Sequence, residues 1–381
     1  ERPLLELSSV EHERLAREYP ELAEVLPLAP LQQGLLFHAL YDEHAPDAYL
    51  TQMLFNLEGP LDAIALKHAA HALLQRHANL RAGFVHQGFE QALQIIPQQL
   101  TLAWQELEIS DPEQRQRFLE ADYQQRMDLA RPPLLRFALL REAPERHTFV
   151  MTFHHILLDG WSMPVLLQEL FALYAARGHE RALPPLTPYR EYLAWLQRQD
   201  LALTQAAWQR ALAGVLEPTR IAPLPAHGLA ALPQRMILEL PPALSDALAR
   251  QAQQHRLTLN TLIQAGWGVL LAQLTGQLDV LFGIVVAGRP AELPGIERMV
   301  GLLINTVPLR LQLQPGEPLL HMLARLQHQQ AELLAHQHLS LPQIKQLTEL
   351  DELFDTLIVF ENYPLDAQSL STLADDLQIR M

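Results

Sequence analysis

The stretch from Thr148 to Ile156 alternates so regularly that it reads as a β-strand. Phe149, Met151, Phe153 and His155 fall on one face, and Val150, Thr152, His154 and Ile156 on the other. Two adjacent histidines close this strand, and Asp159-Gly160 follow after a three-residue spacer. From Met163 onward, Val165, Leu166, Leu170, Leu173 and Tyr174 recur at helical spacing, with Ser162 expected as N-cap and Gly178 as stop. The segment is therefore expected to form a strand–turn–helix corner with its two imidazoles pointing in opposite directions. That geometry suits one positioned base with a packed support behind it, because neutral imidazole accepts a proton near neutral pH. Two other readings compete: simple packing of a histidine pair on an apolar strand, and a zinc site. The second is poor, because adjacent strand residues diverge and the chain has neither cysteine nor an HExxH helix.

Composition narrows the class. At 381 residues and 49% apolar content, the chain can build two cores. A net charge of −15, with no basic, aromatic-interleaved patch, argues against nucleic acid as a partner. Zero cysteines exclude a disulfide scaffold, a thiol nucleophile and a Cys-ligated metal, and no metal is expected. No signal-peptide pattern and no membrane-spanning apolar run occurs, so a cytoplasmic location without membrane contact is the expectation.

The pattern of elements is α/β. Residues 6–24 are polar and acidic and read as an exposed lead-in. A Pro-punctuated turn into a helix covers Pro27 to His38. Tyr49 to Leu57 reads as a strand and Leu61 to His77 as an amphipathic helix. A hairpin is expected across Leu134–Leu140 and Thr148–Ile156. Pro184, Pro185 and Pro188 mark a linker. Beyond it the order echoes the first half: a strand from Arg235 to Leu240, a helix from Leu244 to Gln254 and another from Thr258 to Leu274. Strands are then expected over Asp279–Val286 and Asn305–Leu313. The echo suggests two similar α/β lobes. The division expected is 1–24 lead-in, 25–178 N-terminal lobe, 179–190 linker and 191–381 C-terminal lobe.

His154-His155-Ile156-Leu157-Leu158-Asp159-Gly160 resembles the HHxxxDG signature of condensation domains of nonribosomal peptide synthetases, which is shared across the chloramphenicol-acetyltransferase-like superfamily. Leu28 to His38, with Pro30-Leu31-Gln32-Gln33-Gly34-Leu35-Leu36-Phe37-His38 at its centre, resembles the family's first motif. Arg76-His77-Ala78-Asn79-Leu80-Arg81 resembles RHxxLR, and Val300 to Thr306 resembles VGxFxNT. His336 to Leu341 and Val359 to Pro364 are similar to later family segments. The resemblance runs over nearly the whole chain, in the family's order.

The resemblance implies two chloramphenicol-acetyltransferase-like lobes in a V-shaped pseudo-dimer, with the active site at their junction. It implies amide formation between a donor peptidyl thioester and an acceptor aminoacyl thioester. Both would ride on 4′-phosphopantetheine arms of upstream and downstream peptidyl carrier domains, beside an adenylation domain in a multimodular enzyme making an antibiotic or siderophore. The domain itself would bind no cofactor. The implied catalytic residues are His155, which contacts or deprotonates the acceptor amine, and Gly160, through its backbone N–H. Structural support is assigned to His154, Asp159, Arg81 and Trp161. Asp159 is expected in an ion pair with Arg81, or failing that Arg76. Asn305 is a candidate cleft residue, with backbone capping as the alternative. The first motif resembles that of domains taking a D-configured donor. Family members usually continue past Val359–Pro364, so the C-terminal lobe is expected to be incomplete, and Leu4 to Pro20 to be the linker after a carrier domain. An epimerisation domain would supply an EGHGRE-like segment, which is absent. A partner-recruiting member would lose the HHxxxDG residues, which are intact. A CoA-dependent small acyltransferase would not carry the later motifs.

Overall fold

The computed structural model describes residues 3–41, 47–180, 183–222, 234–362 and 377–380. Its helices are α1 (Ser9–Glu18), α2 (Pro30–Tyr41), α3 (Ala63–Arg76), α4 (Pro112–Gln124), α5 (Ser162–Ala175), α6 (Tyr189–Gln197), α7 (Leu201–Ala211), α8 (Pro242–Gln254), α9 (Leu259–Thr275), α10 (Leu319–Leu333) and α11 (Leu341–Gln346). Its strands are β1 (Leu22–Pro27), β2 (Leu50–Glu58), β3 (Gly83–Val85), β4 (Leu93–Pro97), β5 (Trp104–Glu108), β6 (Leu135–Ala143), β7 (Arg146–His154), β8 (Asp279–Val286), β9 (Asn305–Gln312), β10 (Leu357–Ile358) and β11 (Gln378–Arg380).

The chain divides into two compact units. The first holds Glu1–Gln199, Arg289–Leu303 and Asn362–Met381; the second holds Asp200–Gly288 and Ile304–Glu361. The Pro-rich stretch expected as a linker thus falls inside the first unit, and the chain first passes between units at Gln199 and Asp200.

The first unit is built on a five-stranded sheet of order β11-β2-β7-β6-β5. The expected hairpin is β6–β7, antiparallel, with Leu135 opposite Phe153 and Leu140 opposite Thr148. On its other edge β7 pairs antiparallel with β2, Leu50 opposite His154. A strand held on both edges and buried on both faces explains the apolar run around the alternation. On one face Phe149 stacks on Phe137, centroids 5.6 Å apart, with Phe55 and Trp104 beside them. On the other, Val150 packs with Ala138, Leu140 and Leu119 of α4.

A smaller sheet, β1-β4-β3, carries α1, whose Leu15 packs with Val85, Leu93 and Ile95. Residues 6–24 are therefore not an exposed lead-in. Ser8 and Glu11 close a capping box: Glu11 N donates to Ser8 Oγ at 3.3 Å and Ser8 N to Glu11 Oε2 at 2.8 Å. That Ser-x-x-Glu spacing outweighed the polar composition.

The second unit carries the sheet β10-β8-β9, with β8 parallel to β10 and antiparallel to β9. Its core gathers Trp208, Leu271, Phe282, Leu311 and Leu326. The Thr258 hydroxyl caps α9 by accepting from Thr261 N, and Gly276, at φ +73°, ends it in the left-handed region. The strand expected from Arg235 to Leu240 does not form. Its residues are all exposed and lie outside every strand of the described residues, and an extended segment becomes a strand only when a neighbour satisfies its backbone. The echo between the halves holds for the helix that follows, α8, and fails for the strand before it. No helix among the described residues is long and apolar enough to cross a membrane.

Candidate active site

The ladder of β7 ends at the histidine pair. His154 N donates to Leu134 O at 3.0 Å, and His155 N donates to Tyr49 O at 2.8 Å. Beyond this the chain turns, with Leu157 N donating to His154 O at 3.1 Å. Alternation sends the two rings to opposite sides. The His154 side chain is 0% exposed, whereas His155 is half-buried.

The His154 ring is turned into the fold. Its Nδ1 accepts from Ile156 N at 3.1 Å, so Nδ1 carries the lone pair and the proton sits on Nε2. That nitrogen faces Asp47, 3.5 Å from Oδ2, within ion-pair reach but outside good hydrogen-bond geometry. Burial pushes the Asp47 carboxyl up. The His154 N–H and the Tyr49 backbone N–H outweigh burial and hold it below the ordinary aspartate range. The Tyr49 ring tilts against His154, centroids 6.2 Å apart.

His155 differs. Its Nδ1 is buried without a hydrogen-bond partner among the described residues, and no carboxylate of those residues pairs with its ring. A histidine of a hydrolase triad, by contrast, leans on a carboxylate that orients it and stabilises its charged form. This ring suits light proton handling or orientation of an amine.

Asp159 is fully buried and its carboxylate is saturated. Oδ1 accepts from Ser162 N at 2.9 Å, from Ser162 Oγ at 2.8 Å and from Arg289 Nη2 at 3.0 Å. Oδ2 accepts from Arg289 Nη1 and from Leu303 N, each at 3.0 Å. The expected pairing with Arg81 is therefore incorrect: the partner is Arg289. Arg81 turns to the end of α3, where Nη1 donates to Leu74 O at 2.7 Å and Gln75 O at 2.9 Å, and Nε to Pro97 O at 3.2 Å. It serves carbonyls that a helix end leaves without intrahelical partners. Arg76, the second choice, binds Glu169 instead, Nε to Oε2 at 3.0 Å, beside His77 Nε2 at 2.6 Å from the same oxygen. Ser162 is not the N-cap either. It is the first residue of α5, Trp161 precedes it as the half-buried cap residue, and the Asp159 carboxylate accepts its N–H.

Asp159 also organises the segment Val300–Leu303 of its own unit. Asp159 N donates to Gly301 O at 3.1 Å, and Gly301 N to Ser162 Oγ at 3.1 Å. Asn79 Nδ2 donates to Val300 O at 3.1 Å, and the hydroxyls of Tyr189 and Tyr192 to Leu302 O and Leu303 O at 2.7 and 3.3 Å. Burial, reinforced by neighbouring negative charge, pushes both phenols far above the ordinary tyrosine range, so they act as donors throughout the physiological range. A Cβ on Gly301 would come within 2.4 Å of the Tyr189 ring, so only glycine fits there.

The structure thus brings His154, His155, Asp159, Gly160 and Trp161 together in one turn of the first unit. Arg81 lies elsewhere in that unit. Asn305 lies in the second, fully buried, donating through Nδ2 to Gln337 O at 2.9 Å and Leu339 O at 2.7 Å. Its amide ties the start of β9 to the His336–Leu341 segment. Arg289 and Asp47 were missed by the sequence reading, and Gln32 entered it only as part of the first motif. Arg289 sits 130 residues from Asp159, and its only local signal is Gly288-Arg289-Pro290 after an apolar strand.

The family model that matches is the condensation domain, over residues 22–379. Bacitracin synthase 3 of Bacillus licheniformis is 34% identical over 380 residues, covering 97% of this chain and 6% of that protein. Surfactin synthase subunit 3 of Bacillus subtilis (strain 168) is 32% identical, covering 91% of this chain and 28% of that protein. The chain therefore spans a small part of the curated relatives it matches. Among solved structures, the first condensation domain of the calcium-dependent antibiotic synthetase in complex with a substrate analogue matches at TM-score 0.71 and 23% identity, over 90% of this chain and 82% of that one. The X-domain from teicoplanin biosynthesis matches at TM-score 0.73 and 24% identity, over 87% and 76%. At these identities the structural matches speak for the fold, a two-lobed chloramphenicol-acetyltransferase-like architecture. Sequence, fold and the intact histidine–aspartate turn agree, and the chain belongs to the condensation-domain family.

Proposed function

We propose that this domain forms an amide bond between a donor peptidyl thioester and an acceptor aminoacyl thioester in nonribosomal peptide synthesis in the cytoplasm. Both substrates would be carried on 4′-phosphopantetheine arms of upstream and downstream carrier domains, next to an adenylation domain. The observation that carries this reading is the contrast inside one motif. His154 is bound into the fold through Nδ1 and Asp159 through both carboxylate oxygens, while the ring of the half-buried His155 has no hydrogen bond or ion pair among the described residues.

In the reaction, the acceptor amine attacks the donor carbonyl carbon, a C–N bond forms and the C–S bond breaks. The donor arm leaves as a thiol, and the lengthened peptide stays on the acceptor arm. An α-amine of pKa about 8 is partly neutral at working pH, so the base has little to do. His155 accepts a hydrogen bond from the amine, orients its lone pair, and passes the amine proton toward the leaving sulfur. The Gly160 N–H is the backbone donor assigned to the carbonyl oxygen as it gains charge. The donor terminus is assigned the D configuration, on Pro30 to His38.

A group that positions or relays a proton is worth about 10²–10⁴-fold in rate. His155→Ala should therefore lose activity on that scale with loaded donor and acceptor carriers, with little change in melting temperature. A folded His155→Ala protein making dipeptide at the wild-type rate would overturn this assignment.

A further inference from the structure

We propose that Gln32 is a positioning residue for His155, an inference that rests on the role assigned to His155 above. Gln32 lies near the start of α2 and is 2% exposed. Its Oε1 accepts from Ala29 N at 2.9 Å, and its Nε2 donates to Ile156 O at 3.0 Å. A backbone donor on one side and a backbone acceptor on the other leave one orientation for the amide. The same Nε2 lies 3.5 Å from Oε1 of Gln94 on β4, whose Nε2 donates to Pro27 O at 2.6 Å. A buried amide relay therefore runs from the end of β1 to the residue after His155.

That connection falls where the sheet stops helping. His155 N is still held by Tyr49 O, but the chain then leaves the ladder. What fixes the direction of the His155 Cα–Cβ bond is the next residue, Ile156, itself fully buried. Its N–H is held by His154 Nδ1 and its C=O by Gln32 Nε2. His154 is part of the same turn. Gln32 anchors that turn to a different element. A misplacement of about 1 Å at a reacting group can cost about 10²-fold in rate. A buried carbonyl that loses its side-chain donor is a ready cause of such a shift.

The test pairs two variants with a double-mutant cycle, using loaded donor and acceptor carriers. Gln32→Leu keeps the volume and removes every hydrogen bond. Gln32→Glu keeps the acceptor for Ala29 N but turns an oxygen, instead of an N–H, toward Ile156 O, and serves if Gln32→Leu fails to fold. Each is assayed at a temperature where circular dichroism shows it folded. Both should lower kcat about 10- to 10²-fold with KM for the acceptor carrier unchanged. In a His155→Ala background the same substitution should cost less than about twofold further, because there is no ring left to misplace. If His155→Ala is slow and the second substitution multiplies the loss in full, Gln32 acts independently of His155 and this inference fails alone. The inference also fails if kcat is unchanged in either folded Gln32 variant. If His155→Ala itself runs at the wild-type rate, the reading of His155 fails, and the positioning role falls with it.

Discussion

The pair Asp159–Arg289 allows a prediction with an unusual sign. Arg289→Met removes charge-assisted hydrogen bonds from both oxygens of a carboxylate with no exposure, while Ser162 N, Ser162 Oγ and Leu303 N still donate to it. Stranding one member of a buried pair costs about 3–5 kcal/mol. Asp159→Leu strands the guanidinium instead; at 10% exposure it gains little hydration, so a loss of the same order, about 3–5 kcal/mol, is expected. The double variant strands neither charge. Ser162 N keeps its bond to Asp159 O at 3.1 Å, and Leu303 N loses its carboxylate acceptor, at about 1–3 kcal/mol. The double variant should therefore be more stable than either single one. Urea unfolding of the four proteins, followed by tryptophan fluorescence, measures this. If the double variant loses as much as the two singles added together, the pair is not coupled, and the argument from buried charge is wrong.

Three further outcomes are expected. His154→Ala should lower stability before it lowers chemistry, by about 2–4 kcal/mol, because it opens a cavity and leaves the Ile156 N–H unpaired; a fully stable but inactive variant would reverse the roles of the two histidines. The Asp47 carboxyl is held below its unfolded value of about 3.9, so its contribution is present at neutral pH and fades as pH falls through and below about 4. The melting-temperature gap between wild type and Asp47→Asn should close in that range, and a gap that widens on acidification would contradict the sign. Offered donors ending in D- or L-residues against one acceptor, the domain should prefer the D-donor by at least about tenfold, which needs only about 1.4 kcal/mol of difference; equal rates would remove that assignment.

What was legible in the sequence was whatever depends on near neighbours. Alternation placed β7 and put His154 and His155 on opposite faces. Helical spacing placed α3, α5, α8 and α9 to within a few residues, and Gly178, at φ +83°, does end the turn after α5. What failed depended on partners far along the chain. Arg81 and Arg289 are equally basic in sequence; the deciding fact is that Arg81 sits just past α3, where unpaired carbonyls claim it. The segment from Arg235 to Leu240 has strand composition, but composition supplies no neighbouring strand. Gln32 is legible in sequence only as part of the first motif; that its amide reaches Ile156 O, 124 residues away, is not.

The motif HHxxxDG separates into two kinds of residue once each polar atom is asked where its hydrogen bond goes. The Asp159 carboxylate accepts on both oxygens from fixed donors, and a base so engaged has no free lone pair aimed at a substrate. His154 uses Nδ1 on Ile156 N and turns Nε2 to Asp47, inside the fold. His155 is the one member that is half-buried and has a ring nitrogen without a partner among the described residues. The saturated Asp159 acts on the fold instead. Through Arg289, Ser162 and Leu303 it fixes the turn against Val300–Leu303. Substitution of Asp159 should on this account lower activity only as far as it loosens that turn. The loss should track hydrogen exchange at Leu303 N across a series of Asp159 variants, and activity loss without any change in exchange there would return Asp159 to the chemistry.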